Sequence, residues 1–212
     1  MSPYAVTVAE FETSAAAAEG WPAEGAPEVA FLGRSNVGKS SLINFLLDRR
    51  GLVRVSRTPG RTRLVNFFRC ELLVGGERRA LRLVDLPGFG YAKVAKSERS
   101  TWRPTIQEYL ERRRPLAAVA LLVDARRDPE IDERELAPWL QAHGRGVVIA
   151  LTKADQLPKH QRKPVAERVR RLLGGPVVAT SVLEGEGRDE LWRRLLRAAL
   201  GPDEAKVEPT AE

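Results

Sequence analysis

Short apolar runs alternate along this chain with longer segments in which apolar residues recur every three or four positions. The first pattern predicts strands and the second predicts amphipathic helices. Strands are predicted at residues 5–11, 29–32, 64–74, 79–84, 116–123, 147–151 and 177–179. Helices are predicted at residues 40–47, 97–114, 131–143, 159–173 and 187–200.

This order of elements predicts an α/β fold with a mostly parallel central sheet and helices on both faces. Gly75 and Gly76 separate two alternating strands and predict a hairpin, which makes one strand antiparallel. The main domain is predicted at residues 28–200. Residues 1–27 are expected to form an N-terminal extension with a short strand and a linker, and residues 201–212 a disordered polar tail.

The composition is that of a globular protein, with 212 residues of which 43% are hydrophobic and 30% charged. The single cysteine, Cys70, excludes an intrachain disulfide and suits a reducing compartment. Because it lies in an alternating strand, Cys70 is expected to be a packing residue. The apolar runs are too short to cross a bilayer and the N-terminus lacks a signal-peptide pattern, so we expect a cytoplasmic location without membrane attachment.

Arginine dominates the net charge of +7. Arginines crowd residues 49–63, form the run 112–114 and recur in the predicted helix 159–173. An excess of this kind suits a polyanionic partner, RNA above all. A solvated arginine-rich surface would give the same composition, and the charge alone leaves both interpretations open.

The segment Gly33-Arg-Ser-Asn-Val-Gly-Lys-Ser40 follows a predicted strand and opens a predicted helix. It fits the phosphate-loop pattern G-x-x-x-x-G-K-[ST], in which backbone N–H groups and the helix N-terminus bind phosphates. Gly33 and Gly38 are expected to let the backbone approach the phosphates. Lys39 is expected to reach the β- and γ-phosphates and Ser40 to bind Mg²⁺.

Two further motifs each follow an apolar strand. Asp85-Leu-Pro-Gly88 fits D-x-x-G, with Asp85 acting on Mg²⁺ through water and Gly88 offering its N–H to the γ-phosphate. Thr152-Lys-Ala-Asp155 fits [NT]-K-x-D, in which the Asp155 carboxylate accepts hydrogen bonds from guanine N1 and N2, a donor pair that adenine lacks. Lys153 would cover the base or brace the phosphate loop. Together these motifs indicate GTP and disfavour an ATP-dependent kinase or ATPase.

A second Mg²⁺ ligand is expected in the basic loop, where Thr58 and Thr62 both carry a hydroxyl. Their spacing does not decide between them. His143 and His160 are expected at helix ends, and two separate histidines make no metal site.

Several segments taken together resemble the EngB family of ribosome-biogenesis GTPases. They are residues 27–44, Thr58-Pro-Gly-Arg-Thr62, Asn66-Phe-Phe68, Asp85-Leu-Pro-Gly-Phe-Gly-Tyr-Ala92 and Thr152-Lys-Ala-Asp155. The resemblance covers residues 5–200 and implies a phosphate-loop GTPase fold with Mg²⁺-dependent GTP hydrolysis. It also implies action in assembly of the large ribosomal subunit, linked to bacterial cell division. The implied partner is that subunit or its precursor, with rRNA and ribosomal proteins, and the protein itself is expected to be a monomer.

The resemblance also assigns site residues. Phosphate binding falls to Gly33, Arg34, Ser35, Asn36, Val37, Gly38, Lys39 and Ser40. The first switch comprises Gly60, Arg61, Thr62, Arg63 and Leu64, and Thr62 joins Ser40 as the second Mg²⁺ ligand. The second switch comprises Asp85, Leu86, Pro87 and Gly88. Guanine recognition falls to Thr152, Lys153, Ala154 and Asp155, together with Ala179, Thr180 and Ser181.

The catalytic residues are expected to be Asn36, Lys39, Thr62 and Gly88. Ras-type enzymes place a water-orienting glutamine directly after the D-x-x-G glycine, where this chain has Phe89, so slow intrinsic hydrolysis is predicted. Asn36 stands where related potassium-stimulated GTPases carry asparagine, and its amide oxygen could hold K⁺ beside the phosphates. Alternatively, Asn36 only shapes the loop, because asparagine favours turns. An alternative function is a GTP-gated ribosome-binding module whose hydrolysis is incidental.

Overall fold

The computed structural model describes residues 2–53, 64–89 and 104–203. Within these ranges, seven strands form one sheet: β1 (Tyr4–Ala15), β2 (Glu28–Gly33), β3 (Val65–Val74), β4 (Glu77–Asp85), β5 (Leu116–Asp124), β6 (Gly146–Thr152) and β7 (Val177–Ala179). The α-helices of the same ranges are α1 (Lys39–Leu47), α2 (Pro104–Arg112), α3 (Ile131–Ala142), α4 (Lys159–Leu173) and α5 (Arg188–Leu200).

The sheet has the strand order β1-β3-β4-β2-β5-β6-β7. β2 pairs in parallel with β4 and β5, and β6 pairs in parallel with β5 and β7. β3 is antiparallel to both of its neighbours, β1 and β4. Of the strands described, β3 alone therefore runs against the others, and the prediction of a mostly parallel sheet with one antiparallel strand is confirmed.

Each face of the sheet carries its own hydrophobic core. On one face α1 and α5 pack against the strands, with Trp192 fully buried among them. On the other face α2, α3 and α4 do the same, around Tyr109 and Phe67. The interior strands β2 and β5 are covered on both sides, which explains their continuous apolar runs.

β1 is longer than the sequence predicted. It runs to Ala15 and pairs with β3 along its length, although residues 12–15 were expected to lie at or within the linker. Beyond it, Trp21 packs edge-on against Tyr109, with ring centroids 5.4 Å apart. Residues 4–15 therefore form a strand of the same sheet as β2, the strand that leads into the phosphate loop.

The arginine run 112–114 is not a uniform surface. Arg113 is only 5% exposed and its guanidinium donates to the buried Glu28 carboxylate at 2.6 Å. The Tyr109 hydroxyl donates to the same carboxylate at 2.6 Å. Burial, as the larger cause, and the negative charge of Glu28 both raise the pKa of Tyr109. Neither of the two interpretations left open by the charge applies to Arg113, which neutralises a buried carboxylate instead.

Cys70 is fully buried, and burial raises the pKa of its thiol to about 12. This confirms its packing role. The predicted helix 97–114 is described from Pro104 to Arg112, and its predicted first residues lie outside the described ranges. No helix in the described part of the chain is long and apolar enough to cross a membrane.

Candidate functional site

The carboxyl ends of five parallel strands meet at one edge of the sheet, which we call the carboxyl edge. Gly33, Asp85, Asp124, Thr152 and Ala179 are the last residues of these strands. In open α/β sheets ligands bind at this edge. The structure thus brings together the three motifs, which are separated by up to about a hundred residues in the sequence.

The phosphate loop, residues 33–40, connects β2 to α1. Gly38 precedes the helix with a φ of +102°, and the N–H of Leu42 donates to the Gly38 carbonyl at 2.9 Å. The first N–H groups of α1, including those of Lys39 and Ser40, have no acceptor within the helix. They give the loop its capacity to bind an anion.

Gly33 is required for a reason other than phosphate access. A Cβ at this position would lie 2.9 Å from both the Cβ and the carbonyl oxygen of Leu122 on β5. The close approach of β2 to β5 therefore demands glycine here. The expectation that phosphates require Gly33 misses this contact, because the sequence does not give the register between the two strands.

The D-x-x-G segment extends the β2–β4 ladder along the phosphate loop. The N–H of Phe89 donates to the Gly33 carbonyl at 3.2 Å, and the N–H of Ser35 donates to the Phe89 carbonyl at 3.1 Å. A Cβ on Gly88 would lie 3.2 Å from the backbone N and Cα of Ser35. Asp85, 3% exposed, forms an ion pair with Lys39. The second motif thus lies directly against the first.

The guanine-recognition segment contacts the phosphate loop from the other side. The Thr152 hydroxyl lies 2.7 Å from the Val37 carbonyl oxygen, to which it can donate. The Lys153 ammonium donates to the Asn36 carbonyl at 2.8 Å. Of the two roles considered for Lys153, the structure shows the brace on the phosphate loop.

Asp155 is held by donors on both carboxylate oxygens. The Gln156 amide donates to one at 2.6 Å and the Ser181 hydroxyl to the other at 2.7 Å. These two hydrogen bonds, from Gln156 and then from Ser181, lower the pKa of Asp155. The N–H of Ala154 donates to the Thr180 carbonyl at 3.1 Å, so the segment 179–181 lies beside the segment 152–155 as expected.

Asp124 is a residue of the carboxyl edge that the motifs do not include. It ends β5, is 3% exposed and accepts hydrogen bonds from Arg126 and Lys153. Burial opposes its ionisation, but the hydrogen bonds from Arg126 and Lys153 outweigh burial and hold its pKa well below the usual range. Asp124 was missed in the sequence analysis, although an acidic residue at the end of an apolar strand, as at Asp85, is a signal that would have indicated it.

The structure does not show every expected site residue at the carboxyl edge. Arg34 of the phosphate loop pairs with Glu130 before α3 at 2.5 Å. Leu64, at the end of the expected first switch, is exposed next to β3. The other expected residues of the basic loop lie outside the described residues, namely Thr58, Gly60, Arg61, Thr62 and Arg63.

A phosphate loop, a D-x-x-G segment and a guanine-recognition segment on one sheet edge define a phosphate-loop GTP-binding domain. A family model described as "50S ribosome-binding GTPase" matches residues 28–153. The probable GTP-binding protein EngB of Anaeromyxobacter sp. (strain K) is 47% identical, over 99% of this chain and 100% of the relative. That of Geobacter metallireducens (strain ATCC 53774 / DSM 7210 / GS-15) is 45% identical, over 95% of this chain and 97% of the relative. The chain belongs to the EngB family of GTP-binding proteins and is a GTPase.

Solved structures agree with the fold. A crystal structure of a probable GTP-binding protein engB superposes with a TM-score of 0.57 and 23% identity, covering 81% of this chain and 97% of that chain. NFeoB from S. thermophilus, bound to GDP·AlF4⁻ and K⁺, superposes with a TM-score of 0.57 and 27% identity. This second comparison covers 83% of this chain and 63% of that chain.

Proposed function

We propose that this GTPase is a Mg²⁺-dependent switch in assembly of the large ribosomal subunit, acting in the cytoplasm as a monomer and linked to bacterial cell division. The observation that carries the proposal is the match of the 50S ribosome-binding GTPase model to residues 28–153. That range contains the phosphate loop, the D-x-x-G segment and the first half of the guanine-recognition segment.

Magnesium would be held by the hydroxyls of Ser40 and Thr62, with Asp85 acting through water. Ser40 lies in the first turn of α1, next to Lys39, whose ammonium contacts the Asp85 carboxylate. Hydroxyl and carboxylate oxygens are ligands that suit this hard cation. When bound, Mg²⁺ neutralises charge on the β- and γ-phosphates, and Lys39 adds a second positive charge there.

Intrinsic hydrolysis should be slow because of Phe89. Its side chain is 6% exposed and belongs to the hydrophobic core on the face of the sheet that carries α2, α3 and α4, while its backbone bonds to Gly33 and Ser35. A phenyl ring can neither donate nor accept the hydrogen bonds that orient an attacking water. The Gly88 N–H and Lys39 remain to stabilise the γ-phosphate, and the rest of the acceleration must come from a cation or a partner.

Potassium is the proposed cation, with the Asn36 amide oxygen as a ligand. Asn36 is exposed on the phosphate loop, and NFeoB, a structural neighbour, binds K⁺ together with GDP·AlF4⁻. A cation there would stabilise charge that develops in the transition state. The competing role also has support, since Asn36 has a φ of +64°, a conformation that asparagine tolerates better than most residues.

Comparing GTP turnover in KCl and NaCl at equal ionic strength tests this role. The wild type should be faster in KCl. Asn36→Gly is the decisive variant, because glycine keeps the left-handed conformation but removes the amide. Loss of the potassium response in both Asn36→Ala and Asn36→Gly supports the ligand role. A response that persists in Asn36→Gly shows that Asn36 only shapes the loop.

Helix α4 offers a surface for ribosomal RNA. Arg162 is occupied by Glu184 and Glu186, and Arg168 pairs with Asp128 at 2.8 Å. Its other cationic side chains point to solvent: Lys159, Lys163, Arg170 and Arg171. Because phosphate contacts dominate binding to nucleic acid, these four side chains should contribute most of the electrostatic attraction on this face.

Sedimentation of the protein with ribosomal subunits tests the proposed function. A non-hydrolysable GTP analogue should promote co-sedimentation with the large subunit, GDP should not, and binding should fall steeply with salt. Replacing the four exposed α4 cations with glutamine should weaken binding. The matched control removes the same number of exposed arginines outside the segments that suit RNA: Arg69, Arg78, Arg134 and Arg197. Equal binding in both nucleotide states would contradict the switch.

Single-turnover hydrolysis with and without ribosomal particles separates the switch from its alternative. Acceleration by large subunits supports a switch that is reset on the ribosome. An unchanged rate supports a GTP-gated binding module whose hydrolysis is incidental.

A further inference from the structure

Asp124 lies outside the three motifs, but its carboxylate accepts four hydrogen bonds at the carboxyl edge. One carboxylate oxygen accepts from the Arg126 backbone N–H at 3.1 Å and from Arg126 Nε at 2.9 Å. The other accepts from Arg126 Nη2 at 2.7 Å and from Lys153 Nζ at 2.9 Å. This nearly buried carboxylate therefore sits between two cations, one of which belongs to the guanine-recognition segment.

The Lys153 ammonium connects Asp124 to the phosphate loop. It donates at the same time to Asp124 and, at 2.8 Å, to the Asn36 carbonyl. A lysine side chain is flexible, and that of Lys153 is 31% exposed, so water competes for its ammonium. The fixed carboxylate of Asp124 keeps the ammonium over the loop.

We infer that Asp124 is a positioning residue for nucleotide binding, which acts through Lys153 to hold the phosphate loop at Asn36. Lys153 is two residues from Asp155, the expected acceptor for the guanine base. Through Lys153, Asp124 therefore ties the base-recognition segment to the phosphate loop and fixes the distance between the two halves of the nucleotide site.

Arg126 has a supporting part in this arrangement. Its side chain is 54% exposed, and its two bonds to Asp124 fix the orientation of the carboxylate. Without the Asp124 charge, Arg126 and Lys153 would present two neighbouring cations with no anion between them. Their repulsion would favour a Lys153 ammonium that turns to solvent. The hydrogen bond from Lys153 to the Asn36 carbonyl would then be lost.

The test is the dissociation rate of a fluorescent GDP from Asp124→Asn. We expect dissociation to be about tenfold faster, the loss typical of one hydrogen bond between charged groups. Asp128→Asn is the matched control, because Asp128 lies in the loop that follows Asp124. It pairs with Arg168 of α4, and both side chains are 50% exposed. Its dissociation rate should equal that of the wild type.

A double-mutant cycle with Lys153→Met distinguishes positioning from a general structural role. If Asp124 acts through Lys153, the Asp124→Asn change should have no further effect on dissociation in the Lys153→Met background. The same acceleration in both backgrounds, or a wild-type rate in Asp124→Asn alone, would overturn the inference.

Arg126→Gln keeps the inference testable if Asp124→Asn does not fold. This exposed substitution loosens the same carboxylate from the opposite side. It should accelerate GDP dissociation by about two- to threefold, and only while Lys153 is present. An unchanged rate in Arg126→Gln, or an equal acceleration in the Lys153→Met background, would count against the positioning role.

Discussion

The phosphate loop has two neighbours at the carboxyl edge, and they hold it in different ways. On the β4 side the Ser35 N–H donates to the Phe89 carbonyl and the Lys39 ammonium pairs with the Asp85 carboxylate. On the β6 side the contacts are made by side chains, with Thr152 and Lys153 holding the carbonyls of Val37 and Asn36. The β4 side therefore occupies two donors of the loop, besides the Gly33 carbonyl that accepts from the Phe89 N–H, whereas Thr152 and Lys153 occupy acceptors of the loop.

This difference separates a responsive side from a fixed side. Phosphates are acceptors and bind N–H groups and ammonium groups. The β4 side uses groups of that kind, the Ser35 N–H and the Lys39 ammonium, so we expect a nucleotide to compete with Phe89 and Asp85 for them. The β6 side uses carbonyls, which phosphates do not bind. It can therefore hold the loop in the same way whichever nucleotide is present.

The largest effect should come from changing base recognition on the fixed side. Asp155→Asn replaces one acceptor oxygen with an amide donor that no longer matches guanine N1 and N2. Affinity for GDP should fall at least about 100-fold, and affinity for xanthosine diphosphate should rise. Competition of each nucleotide against fluorescent GDP measures both changes. Unchanged GDP affinity would remove Asp155 from the base site.

On the responsive side, Gly88→Ala should act on the triphosphate alone. The added Cβ would lie 3.1 Å from the Ser35 hydroxyl and 3.2 Å from its backbone N, so Gly88 and Ser35 would have to separate slightly, and we expect the Gly88 N–H to shift from the γ-phosphate position. Turnover of GTP should fall about tenfold or more, the loss typical of one misplaced donor, while GDP affinity stays within about twofold. Gly25→Ala is the matched control, since its Cβ meets nothing within 4 Å. A parallel loss of GDP affinity would erase the distinction between the two sides.

The sequence predicted the elements and the motifs well because both depend on local patterns. Helix α4 and strand β7 have the predicted bounds, since a 3.6-residue period and a bounded apolar run specify them locally. The three motifs were placed at one edge of the sheet because parallel strands end together. β1 is longer than predicted, because its pairing with β3 adds residues that lack a strong apolar alternation.

What the sequence did not predict depends on partners far along the chain. Arg113 is buried because Glu28, 85 positions away, needs a counter-charge. Gly33 is required by Leu122, and Asp124 is held by Lys153, 29 positions away. Each of these contacts depends on strand order and register, which a local pattern does not contain.

Thr152→Val should loosen the fixed side without favouring either nucleotide. It removes the hydroxyl that lies beside the Val37 carbonyl. This buried acceptor then loses the hydrogen bond from Thr152. Dissociation of GDP and of a non-hydrolysable GTP analogue should both be about fivefold faster. Thr7→Val is the control, because the Thr7 hydroxyl bonds to the Glu71 carbonyl between β1 and β3 and not to the phosphate loop. An effect on only one nucleotide would show that the β6 side also responds to the γ-phosphate.

The smallest effect concerns the two donors that hold Asp155 ionised. Gln156 and Ser181 lower its pKa below the ordinary value of 3.8, so the carboxylate keeps its charge, and its affinity for guanine, until the pH falls through that lowered value. Gln156→Ala and Ser181→Ala each remove one donor, so the pKa should rise and the loss of affinity should begin at a higher pH.

At neutral pH we expect GDP affinity to fall about two- to threefold in each of these variants. The ratio of wild-type to variant affinity should stay constant near neutral pH and widen as the pH falls toward and through the ordinary value of 3.8, and the ratio cancels the titration of the phosphates themselves. Ser181 also accepts the N–H of Glu184 at 3.0 Å, whereas Gln156 is exposed, so Gln156→Ala is the cleaner variant. The widening should be equal for GDP and for a GTP analogue, because base recognition lies on the side of the loop that does not respond to the γ-phosphate. A ratio that stays constant with pH in both variants would show that these hydrogen bonds do not set the charge of Asp155.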